Sequence, residues 1–192
     1  MGKSRREKAM KFNKLPLYGA HIIIAEPFVD NRGMFERVFC KREIKSIHHE
    51  KEIVQINHSV TSKKGSIRGM HYQIFPSAEI KIVKAIKGSV YDVIIDVRRN
   101  SPTFLKYHGE KISYDNLTSM YIPEGFAHGF QTLEDECELL YFHTSFYDPQ
   151  NERAIRYDDP LIGINWPLNV ADISDKDRSY PYLNNSFEGA GS

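Results

Sequence analysis

Little in this 192-residue chain is extreme, and what is scarce narrows the field first. There are two cysteines, Cys40 and Cys137, far apart and without metal-type spacing. Free buried thiols are expected rather than a disulfide, which fits a reducing, cytoplasmic setting. No apolar run exceeds strand length: "IIIAEPFV" (22–29) and "VYDVIIDV" (90–97) fall far short of the ~20 residues that cross a bilayer, so no membrane partner is expected. Charge of one sign is lacking too. Twenty-six Lys and Arg nearly balance 25 Asp and Glu, for a net charge of +1. That argues against a nucleic-acid binder but leaves room for a local basic pocket. The basic opening "MGKSRREKAMKFNK" (1–14) has no apolar core, so it reads as a solvated tail and not as a secretory signal.

Helical periodicity is scarce as well. "KREIKSI" (41–47) and the "DISDKD" region (172–177) are the two candidates for short helices. There is no internal repeat, low-complexity stretch or linker. Strand signals dominate: "AHIIIAEPFV" (20–29), "EIVQINHSV" (52–60), "KIVKAIKGSVYDVIIDVRR" (81–99, two strands broken at Lys87-Gly88), "TSMYIPEGFAHGFQTL" (118–133) and "CELLYFHTSFY" (137–147). Strands at this spacing, with Gly, Pro, Asn and Asp between them, predict one all-β sandwich or barrel over residues 15–185. The ending "NNSFEGAGS" reads as frayed, giving a second tail over 186–192.

Several of these strands carry residues a dry core would refuse. Gln55 and Asn57 alternate with Val and Ile; Arg68 and His71 flank Gly69 and Met70; Lys81 opens an apolar strand; His128 and Tyr141 sit deep in others. A buried polar group is costly unless paired, and cores avoid Lys and Arg. Together these residues predict a barrel with a wet ligand cavity. Glu79, two residues before Lys81, is expected to face solvent.

His71 admits three readings. As a metal ligand it would join Glu79 and His128 in a cupin-like spacing, but Gln73 stands where a second histidine is needed, and Lys81 would bring a cation close. As a structural residue it would be a hydrogen-bonded filler, although Gly69 beside it implies a close backbone approach. As a base it would abstract a proton next to a carbonyl, with Lys81 steadying the enolate oxygen, Tyr141 returning a proton, and a carboxylate orienting the imidazole. Spacing alone does not choose among them, nor does it pick the carboxylate.

Eight motifs in order carry the argument further: "DNRGMF" (30–35), "VQINHS" (54–59), "IRGMHYQ" (67–73), "KIVKAIKGSVYDVIIDVRRNSPTF" (81–104), "YIPEGFAHGFQTL" (121–133), "LYFHTSFYDPQNE" (140–152), "DDPLIGINWP" (158–167) and "ISDKD" (173–177). The chain resembles the nucleotide-sugar epimerases typified by dTDP-4-dehydrorhamnose 3,5-epimerase. The resemblance implies a cupin-type β-barrel jelly roll, forming a homodimer with strands exchanged between subunits. It implies no metal and no other cofactor, and a dTDP-4-keto-6-deoxyhexose substrate. It makes His71 the base, Asp177 its carboxylate partner, Lys81 the group at the keto oxygen and Tyr141 the acid on the opposite face. Arg32 and Arg68, helped by His128, would hold the diphosphate. Phe35, Gln55 and Asn57 would line the nucleotide and sugar site, with Phe146 and Tyr147 stacking near the base. One departure stands out: Arg37 occupies the position where the rhamnose enzymes place a glutamate, and Glu36 precedes it.

Overall fold

The computed structural model describes residues 9–184 and 186–191. Residues 1–8, most of the expected N-terminal tail, lie outside that range. Among the described residues, fourteen strands run in the order β1 (Lys11–Lys14), β2 (His21–Ile24), β3 (Phe28–Asp30), β4 (Gly33–Phe35), β5 (Gln55–Thr61), β6 (Ser66–Gln73), β7 (Lys81–Lys87), β8 (Ser89–Asp96), β9 (Tyr107–Ser113), β10 (Thr118–Ile122), β11 (Phe126–Thr132), β12 (Cys137–His143), β13 (Glu152–Ala154) and β14 (Asp172–Ile173). The two expected helices shrink to a single 3-10 turn at Ile44–Ile47 and to α1 (Asp175–Ser179). The stretch at 20–29 is not one strand: it stops before Glu26-Pro27, where Pro27 has no N–H to give a ladder, and resumes as β3 of a separate hairpin.

Two sheets face each other as a jelly roll. One runs β1-β2-β10-β7-β12-β5, the other β13-β6-β11-β8-β9, with β14 added in parallel beside β6. Alternation along the strands sends Ile22, Val83, Met120 and Leu139 from the first sheet against Ile94, Ile112 and Phe130 from the second, and these form the dry interior. The outer face of the first sheet is covered by residues 38–53, where Ile44 packs on Ile82 and Phe142. The outer face of the second is covered by the C-terminal segment, through Ile155 and Ile162.

Both expected tails enter this architecture sooner than their composition suggests. Residues 11–14 are β1, paired antiparallel with β2, because Met10 and Phe12 have apolar partners in the outer layer. At the other end the Phe187 ring stacks on Phe104 at 6.3 Å, and buried Ala190 donates its N–H to the Val97 carbonyl at 2.6 Å. Short polar sequence around each apolar anchor hid both contacts. Cys40 and Cys137 are free thiols. No helix among the described residues is long and apolar enough to cross a membrane.

Candidate active site

A cavity of about 730 Å³ opens between the two sheets at one end of the dry interior. Its first wall comes from Lys81 on β7, Tyr141 and His143 on β12 and Asn57 on β5, and the opposite wall from Arg68 and His71 on β6 and His128 on β11. Register explains the first wall. Val83 pairs with Tyr141 and Lys81 with His143, so both pairs project to the same side as the core residues Ala85 and Leu139.

The second wall needs an irregularity. Arg68 and His71 are three residues apart, which on a regular strand sends them to opposite faces. Here Arg68 pairs with Phe130 and His71 with His128, three steps on β6 against two on β11, and this bulge returns both side chains to the cavity. Gly69 sits in the bulge at φ 131°, and a Cβ there would lie 2.5 Å from the Gly129 Cα. The close approach read from the sequence is therefore that of β11 itself.

His71 Nε2 lies 2.9 Å from Asp177 Oδ1, while Asp177 Oδ2 accepts the Gly69 N–H at 3.2 Å. Asp177 is delivered by α1, whose N-cap Ser174 accepts the Asp177 N–H at 3.0 Å. Burial would raise the Asp177 carboxyl, but hydrogen bonding and charge from His71, with the Gly69 N–H, hold it below the usual aspartate range. The carboxylate fixes the tautomer: Nε2 carries the proton and Nδ1 presents a lone pair. Nδ1 is 3.9 Å from Glu152 Oε1, and the Tyr180 ring meets the imidazole edge-on at 6.3 Å. Glu152 is tied to Lys176 at 2.5 Å and to the Tyr147 hydroxyl at 3.2 Å.

Tyr141 faces His71 across the cavity, its ring edge-on to His128 at 5.9 Å. Burial, reinforced by the Asp92 carboxylate, pushes its phenol far above the ordinary value, so it stays protonated and able to donate. His128 Nε2 is 2.7 Å from Asp92 Oδ1, both buried. Arg68 is exposed at the mouth and anchored to Thr61 Oγ1 at 3.0 Å, with Lys63 and Lys176 on the same rim. That rim supplies the basic pocket the near-neutral composition left room for.

Other expectations fare differently. Glu79 does not face solvent: it is 9% exposed, with Oε2 2.7 Å from His143 Nδ1 and Oε1 3.2 Å from Lys81 Nζ. Two partners, Lys81 at the start of β7 and His143 on β12, the latter a residue that sequence reading passed over, make that burial favourable. Gln73, the poor metal ligand, holds a loop, donating to the Ser77 and Phe146 carbonyls and accepting from the Asp148 N–H. No group of three His, Cys, Asp or Glu among the described residues is placed to hold a metal ion. Gln55, Phe146 and Tyr147 stand near the cavity without lining it. Arg32 and Phe35 are further removed, on the exposed β3–β4 hairpin, where Arg32 pairs with Asp30 at 2.6 Å. Arg37 pairs with Glu43, while Glu36 turns inward to fully buried Lys84 at 3.0 Å. Lys63, His143, Glu152, Lys176 and Tyr180 are site residues that sequence reading missed, although His143, Glu152 and Lys176 lie inside quoted motifs.

With that geometry established, comparison with known proteins is decisive. The family model described as dTDP-4-dehydrorhamnose 3,5-epimerase matches residues 14–185. This chain belongs to that family. The dTDP-4-dehydrorhamnose 3,5-epimerase of Pseudomonas aeruginosa is 45% identical over 161 residues, covering 82% of this chain and 88% of the relative. The crystal structure of the Bacillus anthracis enzyme, with TDP and PPi bound, superposes with a TM-score of 0.88 at 34% identity, covering 91% of this chain and 100% of that one. The Legionella pneumophila enzyme in complex with dTDP-4-keto-L-rhamnose gives 0.83 at 35% identity, covering 88% and 89%. The chain is thus an isomerase, a sugar-nucleotide epimerase of this family, and its all-β jelly roll is the family's fold.

Proposed function

We propose that this epimerase inverts C3 and C5 of dTDP-4-keto-6-deoxyglucose, and that His71 is its base. Hydrogens on both carbons are acidified by the C4 ketone, so one base beside one oxyanion site serves both. The observation that carries the reading is the facing pair: His71, oriented by Asp177, on one wall, and protonated Tyr141 on the other. His71 Nδ1 takes the C–H proton, and the electron pair moves onto the keto oxygen beside Lys81. Asp177 and Glu152 offset the imidazolium charge. At one of the two carbons Tyr141 then gives its proton to the opposite face, at the other solvent supplies it, and both side chains reset by exchange with solvent. Arg68, with His128 and the lysines of the rim, holds the diphosphate. Asn57 and Gln55 border the sugar and nucleotide, and Phe146 and Tyr147 close the side nearest the base.

The reading includes a homodimer in a cytoplasmic setting. β5 ends its sheet, and its outward residues Ile56 and Val60 are 58% and 48% exposed, an apolar edge of the kind that pairs with another chain. Arg32 and Phe35 serve the nucleotide from a hairpin donated across that dimer. Two free thiols suit a reducing compartment. An NMR time course with the dTDP- and GDP-linked 4-keto-6-deoxyglucose in deuterated water tests the function. Deuterium entering C3 and C5 of the dTDP sugar is expected. Label at one centre alone would reassign it as a mono-epimerase, and no label in folded protein would overturn it.

A further inference from the structure

Lys81 is more elaborately held than an isolated cation in a cavity. Its ammonium has three N–H bonds. One meets Glu79 Oε1 at 3.2 Å and one the His71 carbonyl at 3.4 Å, leaving one for a group in the cavity. Behind Glu79 runs a chain of side chains whose polarity can be read from one end. The Tyr147 backbone N–H can only donate, and it reaches Gln55 Oε1 at 3.3 Å. Gln55 Nε2 therefore donates to Asn57 Oδ1 at 3.2 Å. Asn57 Nδ2 donates in turn to His143 Nε2 at 3.3 Å. His143 must then be neutral with its proton on Nδ1, and that N–H donates to Glu79 Oε2 at 2.7 Å. Each link of the chain sets a donor against an acceptor, and it ends on one carboxylate shared by a neutral histidine and a lysine.

We propose that His143 and Glu79 form a positioning pair that fixes Lys81 at the substrate keto oxygen, with His143 locked as the neutral Nδ1–H tautomer. Two of the cavity's three histidine–carboxylate pairs differ in one respect. Asp177 occupies Nε2 of His71 and leaves Nδ1 with a lone pair for proton abstraction. Glu79 occupies Nδ1 of His143, and Asn57 occupies Nε2, so His143 has no lone pair to act as a base. Its ring lies nearly parallel to Tyr141, centroids 6.1 Å apart at 14°, which fixes its orientation as well. A carboxylate behind the lysine holds a geometry that matters only when charge develops on the keto oxygen, so its loss should fall on turnover more than on binding.

The inference rests on the epimerase reading, and the test separates the two: wild-type protein that washes in no deuterium fails the function, whatever the variants do. Given wild-type exchange, Glu79→Gln is expected to lower kcat roughly 10- to 100-fold, the worth of a charge-assisted hydrogen bond, with KM changed by less than about threefold. His143→Leu should do the same, and His143→Asn, which keeps an N–H donor near Nδ1, should recover most of the loss. Glu79→Gln combined with His143→Leu should fall little below either alone, because both act through Lys81. The tautomer is read directly on wild-type protein from long-range proton–nitrogen correlation spectra of nitrogen-15 histidine, assigned with His143→Asn. A neutral Nε2–H ring, or folded Glu79→Gln retaining kcat within about twofold, would overturn the proposal. If Glu79→Gln does not fold, the wild-type tautomer and the Leu-against-Asn contrast at position 143 decide it.

Discussion

The two ends of the barrel interior are built from the same inward-facing rows of side chains, yet they do opposite things. On β7 the row reads Lys81, then Val83 and Ala85; on β12 it reads His143 and Tyr141, then Leu139; on β11 it passes from His128 to Phe130. One end is dry and close-packed, the other is a cavity in which three histidines each face a carboxylate. Strand periodicity makes this possible: a row keeps its direction along the strand while its chemistry changes. Stability should therefore be concentrated at the apolar end and rate at the polar end, and substitutions can break that division.

The largest effect belongs to the proposed base. His71→Asn should slow deuterium wash-in by roughly 10²–10⁴-fold or more, the usual worth of a positioned general base, while leaving the thermal midpoint nearly unchanged. Near-normal exchange would move the base elsewhere on the wall. Tyr141→Phe should follow, with a loss concentrated at one of the two centres; equal loss at C3 and C5 would undo its assignment to one face. At the dry end, Leu139→Ala should cost about 2–5 kcal/mol in urea unfolding, with kcat of the folded protein within about twofold of wild type. A large drop in kcat there would show that the two ends are mechanically coupled.

Gly69 sits where the two properties meet. Gly69→Ala puts a Cβ against the Gly129 backbone and strains a φ of 131°, so it should destabilise by about 1–3 kcal/mol. It should also lower activity, because the bulge is what turns Arg68 and His71 to the same side. Loss of stability with full activity would mean that the bulge survives the substitution.

Much of this was legible beforehand, and the reason differs by residue. Val83 and Ala85 behind Lys81, or Leu139 behind Tyr141, reveal the inward row because period-2 patterning is local. The family's motifs supplied Asp177, which no spacing rule connects to His71 106 positions away. The sequence misled where a residue's environment is made by another strand. Glu79 looked exposed because one of the partners that fill its acceptors, His143, becomes a neighbour only through the pairing of β12 with β7; the other, Lys81, lies two residues along the chain. Strand β5 alternates as expected, but its polar face turns inward and its apolar face outward, an inversion that suits the polar ligand and the second chain proposed for it. Arg68 and His71 would have been assigned opposite faces by any regular-strand rule, since the bulge depends on what lies across from them.

The smallest effect expected concerns acid, and it tests whether the polar end contributes any stability at all. The Asp177 carboxyl is held below its ordinary value in the folded protein, so between the folded and unfolded values the unfolded chain binds more protons and stability rises with pH. The contribution is complete above the unfolded value near ~3.9 and is lost as pH falls through the depressed folded one. Glu79 and Glu152 shift in the same direction, so the wild-type curve alone would not isolate Asp177. The difference between wild type and Asp177→Asn does. In urea unfolding it should narrow as pH falls below about 4. A difference that stays constant into the acid range would mean that the His71–Asp177 pair sets rate and contributes no pH-dependent stability, the sharpest form of the division between the two ends.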